Sequence, residues 1–479
     1  MTSPRPEPSP PGDAHGSESL WSPERRPLTL GLVLTITLVA AEALAVSTAM
    51  PIVARELGGL ELYGAVFSAF FLGSLIGITV VGGLIDERGV VAPFVLGLAL
   101  FAIGLLICGV APSMPTIVIG RFIQGVGGGA VPPVAYVAIG RSLPEWLRPR
   151  MFATLSAAWV IPGLIGPAIA GFVAQTWHWR AVFLGLLPLI LLAGALAVRA
   201  MRTIPAHPPE RVGERVVARS GWARRYTLAV GTALGTGILT AGLLQADITI
   251  LVSMVAVGLL IAGYSFRHLT PEGTLRLARG YPSAIMLRGV LTFAFFTVDA
   301  NVTLLLQEVR GWSALAAGLA LSAPTLSWSF GAWYQARHSS RIGPERFVRY
   351  GFPIVALGMA GVALALFEPI PAWIVLPFFG IAGLGMGLAY SQFAIIVLRD
   401  APRAAQGSAT SAVTLSDALG TALGTGIAGA LIAMGVRANE GVGPGLGAAI
   451  AMGVIVAVFG FVAAPRLWRT GSGASASVG

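Results

Sequence analysis

The chain has 479 residues, 55% of them hydrophobic and only 11% charged, with a mean hydropathy of +0.80. A soluble globule carries about 25% charged residues, so lipid is the expected solvent for most of this chain. The net charge of +10 comes from arginine alone, because lysine is absent, and it lies in the loops and not in a patch for nucleic acid. One cysteine, Cys108, excludes an internal disulfide. The histidines His15, His178, His207, His268 and His338 lack metal-ligand spacing. No nucleophile elbow, dinucleotide fingerprint or phosphate loop stands in a usable context, which argues against an enzyme, a cofactor and an ATP-driven pump.

Residues 1–27, rich in Pro, Ser and Glu, read as a disordered tail without the apolar core of a signal peptide. About 20 apolar residues cross the hydrocarbon core as a helix. On that measure spans are expected at 28–50, 61–85, 92–111, 115–139, 150–174 and 179–199. A basic stretch, 200–225, reads as a linker whose arginines can also meet anionic lipid. Two tight spans follow at 226–244 and 248–266, joined by Gln245-Ala246-Asp247; Asp247 reads as turn chemistry. After a loop at 267–280, six more spans are expected at 281–306, 312–334, 347–366, 372–398, 408–433 and 445–463, then a tail at 464–479. The expected fold is an all-α polytopic membrane protein with fourteen transmembrane helices: a six-helix bundle over 28–199, a two-helix insertion over 226–266 and a second six-helix bundle over 281–463.

Alternate loops are strongly biased in arginine. Arg25, Arg26, Arg88, Arg141, Arg148 and Arg150 fall on the side of the termini, against Arg55, Arg180, Arg310 and Arg437 on the other. Arginine-rich loops stay in the cytoplasm, which predicts cytoplasmic termini in a prokaryotic inner membrane.

Several motifs stand in register with these spans. Span one ends in a run from Glu42 to Pro51. After span two comes Gly82-Gly83-Leu84-Ile85-Asp86-Glu87-Arg88-Gly89. Span four holds Gly120, Arg121, Gln124, Gly125 and Gly127, and span five holds Pro162, Gly163, Gly166, Pro167 and Gly171. Trp177-His178-Trp179-Arg180 lies just beyond. This set resembles the major facilitator superfamily, and the extra central pair resembles its fourteen-span drug:proton antiporter branch. The resemblance implies two bundles around a central cavity, alternating access, a small-molecule substrate, protons and lipid as partners, and a monomer. The loop motif departs from the family pattern. Glu87, Val90 and Val91 stand where basic residues are usual, and Arg88 alone keeps a positive charge, so an inner charge lock is expected to be weaker or differently wired.

A charge at the bilayer centre costs about 2.5–3.5 kcal/mol, so it persists when paired, hydrated or functional. Glu42, Arg121, Asp299 and Asp417 stand out. From the helix rise, Glu42, Arg121 and Asp299 lie about 12, 9 and 10 Å deep from one face, a single layer supplied by three helices. Burial favours the neutral carboxyl and a nearby guanidinium the ionised one, so these residues suit proton loading and release. Asp417 reads as a helix-to-helix hydrogen-bonding group. Gln124, one turn from Arg121, can orient it. Gly163, Gly166, Pro167 and Gly171 suit close approach and a kink. By analogy Tyr136, Phe295, Phe296, Asn301, Tyr390 and Gln392 are cavity candidates. The reading is a proton-coupled exporter of amphipathic molecules or drugs. The alternative is a dedicated exporter of one endogenous lipid, siderophore or self-made antibiotic on the same fold.

Overall fold

The computed structural model describes residues 19–144, 146–202, 212–402 and 406–468, and helices dominate all of them. In chain order they are α1 (Arg26–Leu57), α2 (Tyr63–Arg88), α3 (Val91–Gly109), α4 (Met114–Ser142), α5 (Arg148–Ala157), α6 (Val160–Thr176), α7 (Trp179–Leu184), α8 (Leu186–Met201), α9 (Val212–Gly242) and α10 (Ile248–Leu269). There follow α11 (Tyr281–Asp299), α12 (Val302–Leu304), a π-helical turn over Leu305–Val309, α13 (Ala314–Ala320), α14 (Ser322–Ile342), α15 (Pro344–Ala363), α16 (Val375–Ala389), α17 (Gln392–Asp400), α18 (Gln406–Arg437) and α19 (Val442–Ala463). Residues 1–18 and 469–479, within the expected tails, lie outside the described residues, as do 203–211 of the expected linker. The rest of that linker differs from the expectation: α9 already starts at Val212, so this helix is longer than its apolar part.

Among the described residues eleven helical segments are long and apolar enough to cross a membrane, and Val160–Thr176 is a shorter apolar helix. The segments over α9 and over α13–α14 carry many Gly, Ser, Thr and Arg residues, which lowers their apolarity.

Glycine decides how the first helices pack. A side chain at Gly125 would meet the backbone of Phe70, one at Gly127 the backbone of Gly97 and Phe101, and one at Gly129 the backbone of Ser74. Alternate glycines thus let α2 and α3 press on α4 from two sides. In the second half the same device joins α11 to α18, where Gly420 lies on the backbone of Gly289.

The segments before Met201 pack mainly on one another, as α1 on α6 and α8 and α2 and α3 on α4. Those after Tyr281 do likewise, as α11 on α18 and α14 and α15 on α16. The two halves meet along two seams, α2 with α18 and α6 with α13 and α14. Helix α9 packs on α2 and α18, and α10 packs on α9.

Candidate functional site

Glu42 lies in the middle of α1, and Arg121 and Gln124 lie one turn apart on α4. Arg121 Nη1 donates to Glu42 Oε1 at 2.5 Å and to Gln124 Oε1 at 2.7 Å. Its guanidinium also sits 4.3 Å from the centre of the Phe70 ring. All three polar side chains are buried, at 1%, 2% and 0% exposure. Each still keeps one buried polar atom without a hydrogen bond: Glu42 Oε2, Arg121 Nε and Gln124 Nε2. Taking this ion pair out of water carries a desolvation cost that its Coulombic attraction and hydrogen bonds must offset.

Asp299 does not join the cluster. It ends α11, where the span breaks at Ala300–Asn301, and it is half-buried. Among the described residues it has no hydrogen-bond or ion-pair partner.

Beyond that break the chain docks on the other half. Thr303 Oγ1 donates to the Ser47 carbonyl at 2.6 Å, Gln307 Nε2 to the Thr48 carbonyl at 3.1 Å and the Tyr63 hydroxyl to the Ala300 carbonyl at 3.3 Å. Arg55 and Glu308 add an ion pair at 3.3 Å. These contacts lie toward the face opposite the amino-terminal end of α1, and they close that face around the Glu42 layer.

Sequence reasoning passed over one intramembrane charge, Arg288, although it interrupts the apolar run Ile285-Met286-Leu287 on α11. Its Nε and Nη2 donate to Asp417 Oδ1 and Oδ2 at 3.2 and 3.3 Å, and Nη1 donates to the Tyr390 carbonyl. The Tyr390 hydroxyl donates to Asp417 Oδ2 at 3.0 Å. Asp417 is therefore an ion-pair partner, where a plain hydrogen-bonding role was expected.

The cavity candidates divide. Tyr136 is exposed, and Phe296 and Tyr390 are half-buried. Phe295 is buried, stacked on Phe379 at 5.7 Å and edge-on to Trp328. Asn301 is buried and donates to the Thr297 carbonyl, and buried Gln392 accepts from Ser339. These three are buried in the second half, where Asn301 borders a narrow space shared with Thr297, Val302 and Ile450.

The loop motif is placed unexpectedly. Gly82 and Gly83 leave room for Trp222 and Tyr226 of α9. Arg88 is exposed and Gly89 ends α2 with φ +71°, a left-handed position that glycine adopts without strain. The Asp86 side chain lies outside the described residues. In the span-five motif, Gly163 abuts Thr325, Gly171 abuts Ala314 and the Pro167 carbonyl abuts Gly318, so this motif forms the second seam; a side chain at Gly166 would meet only Pro162 of its own helix.

The family model described as the Major Facilitator Superfamily matches residues 28–425. The chain belongs to the major facilitator superfamily. Members of this superfamily are membrane transporters, so this integral membrane protein is not an enzyme, and the family implies a small-molecule substrate. Similar superfamily chains include a Mycobacterium tuberculosis protein described as a probable multidrug-efflux transporter, 26% identical over 389 residues that cover 79% of this chain and 81% of the relative. Another is multidrug resistance protein 3 of Bacillus subtilis, 24% identical over 393 residues covering 80% and 75%. Among solved structures, a bacterial homolog of the human lysosomal transporter Spinster, inward-facing and unoccupied, aligns with a TM-score of 0.66 at 16% identity over 94% of this chain and 99% of that one. The xylose transporter XylE of E. coli, partially occluded and inward open, aligns with a TM-score of 0.60 at 14% identity over 91% and 96%. At these identities the structures speak for the fold alone.

Proposed function

We propose that this superfamily member exports amphipathic small molecules, drugs among them, from the cytoplasm in exchange for protons. The multidrug-efflux relatives favour drugs as substrates. The arginine bias of the loops favours cytoplasmic termini and fourteen spans, arranged as two six-helix bundles and an inserted pair.

The observation that carries proton coupling is the buried ion pair of Glu42 on α1 and Arg121 on α4, with Gln124 accepting from the same guanidinium nitrogen. Protonating Glu42 removes its charge and weakens its hold on Arg121. Arg121 then relies on Gln124 and the Phe70 ring, and α1 is free to part from α4 and open the docked face. Loss of the proton on the far side restores the pair. A neutral molecule exchanged for one proton gains about 2.3 kcal/mol per 100 mV, roughly a fifty-fold accumulation. Asp299, at the break of α11 and without a hydrogen-bond or ion-pair partner among the described residues, serves in this reading as a second carboxyl.

The test is ethidium efflux from a bacterium stripped of its own pumps, with and without a protonophore. Efflux by the wild type, lost both on uncoupling and in Glu42→Gln, is expected. Efflux that survives uncoupling, or normal efflux by Glu42→Gln, would overturn proton coupling through Glu42. No efflux of ethidium or unrelated dyes by well-inserted wild type would point to one dedicated endogenous substrate.

A further inference from the structure

Helix α1 carries a proline, Pro51, inside its length. Proline has no N–H, so the carbonyl four residues back loses its helical partner, and the ring crowds it. In α1 that carbonyl belongs to Ser47, a buried residue. A buried carbonyl without a donor costs as much as a lost hydrogen bond. Here the donor comes from the other half of the molecule: Thr303 Oγ1 reaches the Ser47 carbonyl at 2.6 Å. The next carbonyl, that of Thr48, differs. Four residues on stands Ile52, which has an N–H to give, and Gln307 Nε2 donates to the same carbonyl at 3.1 Å.

Thr303 and Gln307 stand one turn apart on the segment beyond the break of α11, and both are buried. That segment is tied to its own half at its far end. Arg310 donates to the carbonyls of Ala365, Phe367 and Ile370 in the loop after α15. The second half therefore holds α1 by the backbone of the helix that carries Glu42, and one of the two acceptors is the carbonyl next to a missing N–H.

We infer that Pro51 is a positioning residue of the transport cycle: by withholding an N–H it reserves the Ser47 carbonyl for Thr303, and this hydrogen bond latches α1 to the second half at the closed face. With the face closed, Thr303 satisfies the carbonyl; with the face open, water does. A half-parted arrangement, undocked but dry, leaves the carbonyl bare, so the contact is either made or fully wetted. The inference deepens the export reading, because the part that is latched is the Glu42 helix. The latch itself needs neither proton nor substrate.

The test uses purified full-length protein with Ser47→Cys as the reporter. Ser47 is 4% exposed, and its hydroxyl has no hydrogen-bond partner among the described residues. The wild-type chain, whose single cysteine Cys108 is buried, gives the background. The rate of alkylation by a water-soluble maleimide reports opening of the closed face. Thr303→Val is expected to raise that rate about ten-fold, within the range that a bare buried acceptor costs. Thr303→Ser keeps the hydroxyl and should keep the slow rate. In Pro51→Ala the new N–H serves the Ser47 carbonyl within α1, so adding Thr303→Val there should have little effect. Gln307→Met should act equally with and without Pro51→Ala, because Ile52 has its N–H in both. A Thr303→Val effect of the same size with and without Pro51→Ala would overturn the role of Pro51. No effect of Thr303→Val with Pro51 in place would overturn the latch. Alkylation needs no proton gradient, so the expected pattern without dye export keeps the latch and removes the export reading, and dye export without the pattern does the opposite.

Discussion

Arg288 grips both carboxylate oxygens of Asp417 from the neighbouring helix, while Asp299, three turns further along the same α11, has no hydrogen-bond or ion-pair partner among the described residues. One helix thus carries a locked charge and a free one. Breaking a buried pair by removing one member costs about 3–5 kcal/mol, whereas replacing both by apolar residues is often neutral. Arg288→Met and Asp417→Leu alone are therefore expected to lower the thermal midpoint in detergent strongly, and the double variant to recover most of it. An additive double variant would mean that the two residues do not act as a pair.

Gln124 supplies one of the two acceptors that hold Arg121. Gln124→Leu leaves a buried guanidinium short of a partner, a loss of about 1–3 kcal/mol. Efflux should fall while insertion persists, and Gln124→Glu should shift the pH dependence of efflux, because it adds a second titratable carboxyl beside Arg121. An unchanged pH profile in Gln124→Glu would separate Gln124 from coupling.

Gly429 meets Gly64 backbone to backbone across the first seam. Gly429→Val should force α2 and α18 apart there, at an overpacking cost of about 1–3 kcal/mol. The expected readout is faster alkylation of Thr303→Cys by a water-soluble maleimide applied from the face that is closed in this structure.

Arg55 and Glu308 bridge the halves at that face, with 56% and 23% of their side chains exposed. An exposed pair is worth only about 0.2–1 kcal/mol and is screened by salt. Arg55→Ala should leave stability nearly unchanged and raise Thr303→Cys alkylation slightly, an effect that high salt should mimic in the wild type.

Asp247 caps α10 by accepting from the amides of Thr249 and Ile250 at 2.7 and 3.1 Å. The Ile250 and Thr249 amides hold its carboxyl below the ordinary range. A depressed folded value gives stability that is present above the unfolded value and lost as pH falls through the folded one. Amide exchange in the first turn of α10 should therefore accelerate in acid. Asp247→Ala should accelerate it at neutral pH too, and Asp247→Asn should keep the cap and lose the acid response.

The all-helical membrane character is legible in the sequence because each crossing needs a long apolar run, and eleven such helical segments stand among the described residues; Glu42 and Arg121 are legible because a charge in such a run is costly. The pairing of those two with Gln124 also follows from their depth and from the one-turn spacing on α4. Arg288 was passed over because a single charge near the start of a span reads as a loop residue until its depth is counted. Phe295, Asn301 and Gln392 are buried in this structure, an orientation that spacing does not give, because it fixes the helix but not the rotation that turns a side chain toward the cavity or into the bundle. Nor could the loop motif reveal that Gly82 and Gly83 make room for Trp222, since that contact joins helices from distant parts of the chain.

The isolation of α10 has a practical side. Because it packs on α9 and leaves most of its outer surface bare, its sequence has few neighbours to satisfy. A rigid fusion carried at its far end, past Thr270, would add mass for imaging by electron microscopy while leaving the Glu42 layer and both seams untouched.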